Sequence, residues 1–471
     1  MLALSAAVLV PCYWHRRIAA CDLASHTYNA WLAHLARNGR APGVHIAWQW
    51  NNVLVDVALE RLGSALGFIV AERLVVSACV LIFFWGAFAF VSAATGRAPW
   101  VLVPALAMMT YGYTFYMGFM NFYLSLGLAF LSAAVLWRGA RGGWILGLGL
   151  AGLALIAHPL GVVCVGGVLA YSLLGQRTRG WTHCLLFLSS FAAVYLIHRY
   201  ILRFKTEEWL GPRFWYMNGA DQLVTFGGRY APVAGAAVIV GIASLVVAAT
   251  RDRKRGPPLK AIRISLEVWS LLVFAAAMFP EFIWLPGYPM PFGFLVSRLT
   301  CVTGVLGLSV LGSIQPRWWT LAGFASCAVV SFVFQYQDTG ALNRMELQAE
   351  ALVSGLPLGH RVSHTLWPSG GSRIRFIGHM VDRACIGRCF GYSNYEPSSG
   401  QFRLRVEPGS PVVADSVEAA GELDFGTYVV RREDLPMAQI DQCDKADLTK
   451  LCMRELTLGE RTSGARRFLP R

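Results

Sequence analysis

Residues 74–95 read LVVSACVLIFFWGAFAFVSAAT and contain no Asp, Glu, Lys, Arg or His. A helix needs about 20 mostly apolar residues to cross a bilayer, so this stretch predicts a transmembrane helix. Outward from it, similar apolar runs recur along the first 335 residues. They lie at 1–14, 74–95, 100–117, 119–137, 144–157, 159–174, 181–198, 230–249, 264–284, 294–314 and 318–335. We therefore predict a polytopic α-helical membrane protein with about 11 transmembrane helices. The run at 1–14 is short and contains Pro11, so a cleaved signal peptide is its alternative.

The composition of the whole chain points to the same class of protein. Of its 471 residues, 55% are hydrophobic and 14% are charged, and the mean hydropathy is +0.48. Soluble domains usually carry about a quarter charged residues. The composition therefore excludes an ordinary cytosolic enzyme, a disordered chain and a collagen-like chain.

The positive charge is concentrated in the apolar part of the chain. There are 41 Lys and Arg against 27 Asp and Glu, which gives a net charge of +14. Residues 336–471 carry 17 of each sign, so the excess lies in the first 335 residues. Such charge is typical of cytoplasmic loops rather than of a nucleic-acid site, and we expect no nucleic-acid partner.

The positions of these basic residues predict the orientation. Alternate connections are basic, at Arg97, at 138–141, at 177–179, at 251–263 and at Arg317, whereas the hairpins at 117–120 and 157–159 have no Lys or Arg. Basic loops stay in the cytoplasm. This pattern places the amino terminus inside and the chain after Phe334 outside. Long outer segments then run over 16–73 and 199–229, and a shorter one over 281–298.

The sequence divides into a transmembrane module, 1–335, and a soluble extracytoplasmic domain, 336–471. The module includes the first outer loop, 16–73, with two predicted amphipathic helices. In the second part, Pro, Gly and Ser separate short alternating runs. We predict a small α+β domain with a helix over 341–354 and strands over 373–381, 402–407, 411–414 and 428–432.

The C-terminal domain holds an even number of cysteines: Cys385, Cys389, Cys443 and Cys452. In a domain outside the cytoplasm, this number favours two disulfides, and three connectivities are open. A zinc site with His360, His364 and His379 is the alternative.

The first outer loop contains the best candidate for chemistry. Asp22, His26 and Asn29 follow one another at spacings of four and three, which places them on one face of a predicted helix. A carboxylate beside an imidazole can deprotonate a hydroxyl or hold a metal ion or a phosphate-bearing donor. The alternative is an aspartate that caps the helix, followed by a solvated histidine. Asp56 and Glu60 share one face of the second predicted helix, where they bind a cation or simply face solvent.

Cations also accumulate where the inside-positive rule does not predict them. Arg203, Lys205 and Arg213 lie in the second outer segment, and Arg298 lies at the end of the third. They predict a phosphate site, because guanidinium groups match phosphate geometry; packing against aromatics or anionic lipid is the alternative. His158, at a predicted hairpin tip, either caps the following helix or binds substrate. Residues 111–123 hold seven aromatics, typical of an interfacial belt or of a wall for a lipid or sugar.

No Gly-rich phosphate loop, dinucleotide fingerprint or paired CxxC motif is present in the sequence. The layout resembles that of the GT-C superfamily of integral-membrane glycosyltransferases, which includes protein mannosyltransferases and aminoarabinose transferases. The segment Asp22-Leu-Ala-Ser-His26 is similar to the D-x-x-x-H string that opens the first loop in bacterial members. The stretch from Gly118 to Gly127 resembles the hairpin between their third and fourth spans. Leu23 stands where many members have a second acid.

The resemblance implies an inverting transferase of the bacterial inner membrane and cell envelope. Its donor would be a polyprenyl-phosphate-linked sugar, with Asp22 as the base at the extracytoplasmic face and His26 beside it. The resemblance carries over a role to Asp22 only. The interpretation of the residues themselves adds Asn29, Asp56, His158 and the outer cations as candidates to bind substrate or phosphate, and it allows a divalent cation at the acids as a cofactor. The alternatives are a transporter or flippase for lipid-linked or anionic substrates, and a non-catalytic assembly protein in the membrane.

Overall fold

The computed structural model describes residues 1–139, 142–207, 217–251, 259–366, 372–444 and 446–462. These residues form two compact units. The first unit comprises 1–9, 78–115 and 121–335, and the second comprises 10–77, 116–120 and 336–471. Residues 16–73, which the sequence predicts as a loop of the transmembrane module, belong to the same unit as the C-terminal residues in the structure.

The helices are α1 (Leu2–Tyr13), α2 (Cys21–Arg37), α3 (Leu54–Leu66), α4 (Phe68–Thr95), α5 (Val103–Thr110), α6 (Tyr113–Tyr116), α7 (Met120–Arg138), α8 (Gly143–Ala157), α9 (Pro159–Arg177), α10 (Gly180–Ile201), α11 (Ala231–Arg251), α12 (Leu259–Met278), α13 (Leu295–Ser313), α14 (Trp318–Ser354), α15 (Met380–Ala384), α16 (Tyr395–Ser399) and α17 (Val417–Phe425). The strands are β1 (Val44–Ile46), β2 (Lys205–Glu207), β3 (Phe282–Trp284), β4 (His360–Thr365), β5 (Cys389–Gly391), β6 (Leu404–Val406), β7 (Met437–Gln442) and β8 (Leu451–Glu455).

The first unit is a bundle of apolar helices. Among the described residues, seven helices are long and apolar enough to cross a membrane: α4, α7, α9, α10, α11, α13 and α14. The shorter α1 and α8 are apolar too. Helix α10 leaves the side chains of Leu185, Leu188 and Leu196 exposed. Exposed leucines on long apolar helices are what a multi-pass protein presents to lipid.

The run at 100–117 is not one helix. It divides into a 3₁₀ turn over Trp100–Leu102 and the short helices α5 and α6. At the break, the amide of Gly112 bonds to the carbonyl of Met109, and a Cβ at Gly112 would press on the carbonyl of Gln222. The apolar composition was read correctly, but the close backbone approach at Gly112 interrupts the helix. The total of eleven spans stays a prediction.

The second unit is an α+β fold in which α2 lies in the core. Its sheet has the order β5-β4-β7-β8; β4 runs parallel to β5 and β7, and β8 is antiparallel to β7. Tyr28, Trp31 and Leu32 of α2 pack in one cluster with Val362 of β4 and Ile440 of β7. The amphipathic pattern of α2 predicted a helix with one face exposed at the membrane interface. In the structure, α2 is buried in the core of the second unit.

A second, two-stranded sheet joins the first loop to the C-terminal residues. Strand β1 pairs with β6 in antiparallel register, with Val44 opposite Val406 and Ile46 opposite Leu404. This pairing fixes the loop after α2 to the C-terminal part of the same unit.

Several strands of the C-terminal part were predicted wrongly. Residues 373–381 form a 3₁₀ turn and the start of α15, because Ile377, Met380, Val381 and Ala384 bury one helical face. Residues 411–414 and 428–432 contain no named strand, while 402–407 contains β6. Strands β4, β7 and β8 were missed. In β4 and β7 the core-facing positions include buried polar residues such as Ser363 and Gln439, so the apolar alternation of a strand is absent.

A buried ionic cluster links remote segments of the second unit. The guanidinium of Arg383 bonds Glu72 at 2.9 Å, Glu346 at 2.7 Å and the carbonyl of Ile18 at 3.1 Å. All three charged side chains are at least 96% buried. A charge in such surroundings is stable only when it is paired and hydrogen-bonded.

We expect Arg383→Met to destabilise the second unit, since it leaves two buried carboxylates without their cation. Removing one partner of a buried ion pair typically costs about 3–5 kcal/mol. Thermal unfolding of the purified protein in detergent measures the loss. Arg432→Met is the matched control, because Arg432 is exposed and its substitution should change the midpoint little. Equal midpoints for both variants would contradict this role of the cluster.

Candidate active site

The first turn of α2 carries a carboxylate on a residue whose backbone amide is hydrogen-bonded. The helix starts at Cys21 after an extended residue, Ala20, whose side chain makes no cap. The amide of Asp22 bonds to the carbonyl of Met117 at 3.0 Å. The carboxylate of Asp22 therefore lies in the first turn without capping the helix, and its side chain is 28% exposed.

The close approach of residues 116–120 to this turn depends on Gly118. Its φ is +79°, and a Cβ there would collide with the backbone nitrogens of Asp22 and Leu23. Only glycine adopts this conformation easily and leaves this space. The Gly118 motif singled out in the sequence thus has a structural role beside Asp22.

One turn further along α2, His26 pairs with Asp56 of α3. Nδ1 of His26 lies 2.6 Å from Oδ1 of Asp56, and both side chains are mostly buried. Burial acts to lower the pKa of His26, but the charge and hydrogen bond of Asp56, with Glu396 and Asp22 behind it, raise that pKa to about 9. His26 is therefore an imidazolium at neutral pH. Asp22 and His26 share a helix face, as predicted, and the partner of His26 comes from the second helix.

The C-terminal part contributes a carboxylate that the sequence analysis missed. Glu396 of α16 is buried and accepts a hydrogen bond from Ser25 at 2.7 Å. Asn29 donates to the same Ser25 hydroxyl at 3.0 Å and accepts from Asn394 at 2.7 Å. Burial raises the pKa of Glu396, and Asp56 adds to the rise, although His26 opposes it.

A second histidine also reaches Asp22 from the C-terminal part. Nε2 of His379 lies 3.9 Å from Oδ1 of Asp22, and its Nδ1 lies 3.3 Å from Oδ2 of Asp382. His379 was considered in the sequence only as a zinc ligand. Its spacing to Asp382 is helical, but nothing in the sequence pairs either residue with Asp22, more than 350 positions away.

A small polar cavity lies beside this cluster. His26, Asn29, Asp56 and Glu396 line it together with Phe402 and Arg403, and its volume is about 20 Å³. That volume corresponds to about one water molecule. A larger substrate group would therefore have to bind at the exposed side of Asp22 or displace side chains.

The described residues contain no group of three or more His, Cys, Asp or Glu side chains arranged to hold a metal ion. Cys385 pairs with Cys389, and Cys443 pairs with Cys452, which selects one of the three connectivities. His360 faces Glu455, and His364 lies between the carbonyl of Gly378 and Ser393. These cysteines and histidines therefore form no zinc site in the described part of the chain.

Three of the four predicted phosphate-binding cations are described residues of the first unit, and each lies against an aromatic ring. Arg203 stacks on Tyr200, and Arg298 lies over Phe122. Lys205 lies over Trp284 and pairs with Glu207 at 2.8 Å, although its side chain is 68% exposed. Arg213 lies outside the described residues. These contacts correspond to the aromatic-packing alternative and leave the phosphate site a prediction.

Two other sequence features have a packing role. His158 accepts a hydrogen bond from the amide of Leu160 at 3.2 Å, so its ring caps α9. The seven aromatics of residues 111–123 are all buried. They form part of the protein interior instead of an exposed belt.

The first unit encloses an apolar cavity of about 270 Å³ among α5, α11, α12, α13 and α14. Met109, Leu245, Trp269 and Leu311 contribute to its wall. Gly307 also lines it, and a Cβ there would make an ordinary contact with the indole of Trp269. A cavity with this lining suits a hydrocarbon chain.

We expect Asp56→Asn to lower the pKa of His26, since it removes the charge that raises that pKa to about 9. His26 binds its proton more tightly in the folded chain than in the unfolded chain. The pair therefore stabilises fully below about pH 6.5, and the stabilisation disappears as the pH rises through about 9. Unfolding midpoints of both proteins across this range test it. The midpoints of the wild type and of Asp56→Asn should differ at low pH and converge as the pH rises through about 9. Glu407→Gln, which breaks the exposed pair with His45, is the control, and the difference between its midpoint and that of the wild type should not follow this course.

The likeness to GT-C enzymes rests on the order of segments and on short motifs around Asp22 and Gly118. Comparison of the chain with models of known protein families, with curated proteins and with solved structures finds no match. The chemistry of the cluster around Asp22 is accordingly argued from its own geometry.

Proposed function

We propose that the protein is a membrane glycosyltransferase that moves a sugar from a polyprenyl-phosphate carrier to an acceptor hydroxyl. The observation that carries this proposal is the carboxylate of Asp22. The backbone amide of this residue bonds to Met117 and fixes the turn that carries the carboxylate. The carboxylate is the more exposed side chain of its pair with His379, and it shares a helix face with the imidazolium of His26.

The chemistry follows from a carboxylate of this kind. The acceptor oxygen attacks the anomeric carbon of the donor sugar and forms the new glycosidic bond. The bond from that carbon to the phosphate oxygen breaks, and the carrier phosphate leaves with the electron pair. Asp22 takes the proton of the acceptor hydroxyl, which makes the oxygen a better nucleophile. Attack from the face opposite the phosphate inverts the anomeric carbon.

The first unit supports a lipid-linked donor. Its apolar cavity has the volume and lining to hold part of an isoprenoid chain. A carrier lipid also suits a sequence without a nucleotide-binding motif. Arg203, Lys205, Arg213 and Arg298 are the candidates to bind the donor phosphate. A guanidinium that stacks on a ring, as that of Arg203 does on Tyr200, can still offer its edge to phosphate oxygens.

The proposed setting is a bacterial inner membrane, crossed eleven times, with the amino terminus in the cytoplasm. The two disulfides support an external C-terminal part, because such bonds persist in oxidising compartments. The basic connections between helices support the same orientation.

A flippase or transporter for lipid-linked substrates is the second candidate. Buried carboxylates in the membrane unit favour it: Asp221 accepts from Thr300 at 2.7 Å, and Glu281 accepts the amides of Val296 and Ser297. Ionisable residues inside a membrane often mark transport paths, but Asp221 and Glu281 lie in the predicted outer segments 199–229 and 281–298. Glu281 also binds the start of α13, which is a structural role.

We expect Asp22→Asn to lower the rate of sugar transfer by roughly 10²–10⁴-fold, the usual contribution of a general base. Asn keeps the size of the side chain but does not accept the proton. Radiolabelled transfer from polyprenyl-phosphate sugars, with the protein in liposomes, measures the rate, and donor binding should persist. Glu418→Gln is the matched control, since Glu418 is an exposed carboxylate in the first turn of another helix. Undiminished transfer by Asp22→Asn would exclude Asp22 as the base.

We expect Gly307→Leu to weaken binding of the lipid donor, because the new side chain would occupy the apolar cavity. Transfer at low donor concentration should fall, and photo-crosslinking of a polyprenyl-phosphate analogue should fall with it. Gly166→Leu is the control, since Gly166 on α9 has open space around it. Equal labelling of both variants would place the lipid chain elsewhere.

A further inference from the structure

His379 connects a buried carboxylate to the partly exposed one. The exposed fraction of the side chain rises from 1% for Asp382 through 16% for His379 to 28% for Asp22. The imidazole lies between the two acids, with Nδ1 toward Asp382 and Nε2 toward Asp22. Residues 379–382 thus form a bridge from the interior to the carboxylate that the proposed reaction uses.

The inner end of this bridge is held in place. Asp382 lies on α15, whose core face is buried beside α2. A Cβ at Gly391 would collide with Oδ1 of Asp382, so the sheet edge at β5 leaves just enough space for that oxygen. The ring of Tyr395 lies 5.6 Å from the ring of His379. The imidazole is therefore restrained from several sides.

We propose that His379, held by Asp382, is the positioning residue for Asp22 and orients its carboxylate toward the acceptor hydroxyl. This inference rests on the proposed glycosyltransfer. Asp22 takes the proton, whereas His379 acts through Asp22 and touches no reacting atom.

The electrostatic surroundings favour the charged imidazole. The charged groups that face His379 are Asp382 on its own segment, Asp22 on α2 and Glu396 on α16. Burial lowers the pKa of His379, but Asp382 and then Asp22 and Glu396 outweigh burial and raise it above the ordinary value. An imidazolium 3.9 Å from Asp22 attracts that carboxylate and favours its observed position.

A pH dependence follows from this arrangement. Below the pKa of His379, the imidazolium is present and keeps the side chain of Asp22 in position. Above that pKa, the protonated fraction falls about tenfold per pH unit, and the rate of transfer should fall with it. Asp382→Asn keeps an oxygen to accept the Nδ1 proton but removes the charge, so the alkaline limb of the rate profile should move to lower pH.

The pairing itself is tested without any activity. Histidine hydrogen–deuterium exchange, read by mass spectrometry on the full-length protein in detergent, reports the pKa of His379. Asp22→Asn and Asp382→Asn should each lower this pKa, because each removes a negative charge that raises it. Glu418→Gln should leave it unchanged. If Asp22→Asn leaves the pKa of His379 where it is in the wild type, the proposed pairing is wrong.

The positioning role is tested by transfer from polyprenyl-phosphate sugars. Asp382→Asn and His379→Gln should lower kcat and leave the KM for the donor unchanged, whereas His379→Lys should restore a cation and move the alkaline limb upward. An unshifted pH profile in Asp382→Asn, together with a lowered pKa of His379, would overturn the proposal and leave the glycosyltransfer standing. A wild type that titrates as expected but transfers no sugar would overturn the proposed function instead.

Discussion

The second unit depends on one buried guanidinium. Arg383 bonds Glu72 at the start of α4, Glu346 near the end of α14 and the carbonyl of Ile18 before α2. Together with Arg383, these three groups come from four places in the chain. A neutral side chain at position 383 would leave the two carboxylates without a compensating charge. A nearby second cation, Arg17, pairs with Glu350 and approaches Glu346 at 3.9 Å. The ends of two apolar helices are thereby fixed to the segment that leads into α2.

The position of the candidate site follows from this arrangement. Asp382 precedes Arg383 directly, so the residue that orders the core also sets the place of the carboxylate behind His379. On the other side, Gly118 lets residues 116–120 contact the first turn of α2. Asp22 is consequently fixed from two directions, by a hairpin backbone and by an imidazole, before any substrate binds. Such preorganisation is what a base needs to act on a hydroxyl at a defined position.

The sequence predicted the parts of this site that depend on local periodicity. Helical spacing placed Asp22, His26 and Asn29 on one face, and Asp56 was selected on the next helix. The bond between His26 and Asp56 was not foreseen, because a tertiary contact between two helices leaves no periodic signal. Glu396, His379 and Asp382 were missed for the same reason, since they reach α2 through the fold of the C-terminal part. The stacking of Arg203, Lys205 and Arg298 on aromatic rings corresponds to the packing alternative, and a phosphate site at these cations stays a prediction.

The disulfide between Cys385 and Cys389 closes the loop directly after α15. A loop this short restricts the unfolded chain by an amount worth about 2 kcal/mol. Helix α15 has only five residues and carries both Asp382 and Arg383, so this covalent closure adds to the burial and the ion pairs that order it. Oxidation during biogenesis would then complete the helix and the carboxylate cluster together. A chain still facing a reducing compartment would lack a fully assembled site, which would confine its chemistry to the side of the membrane where the thiols are oxidised.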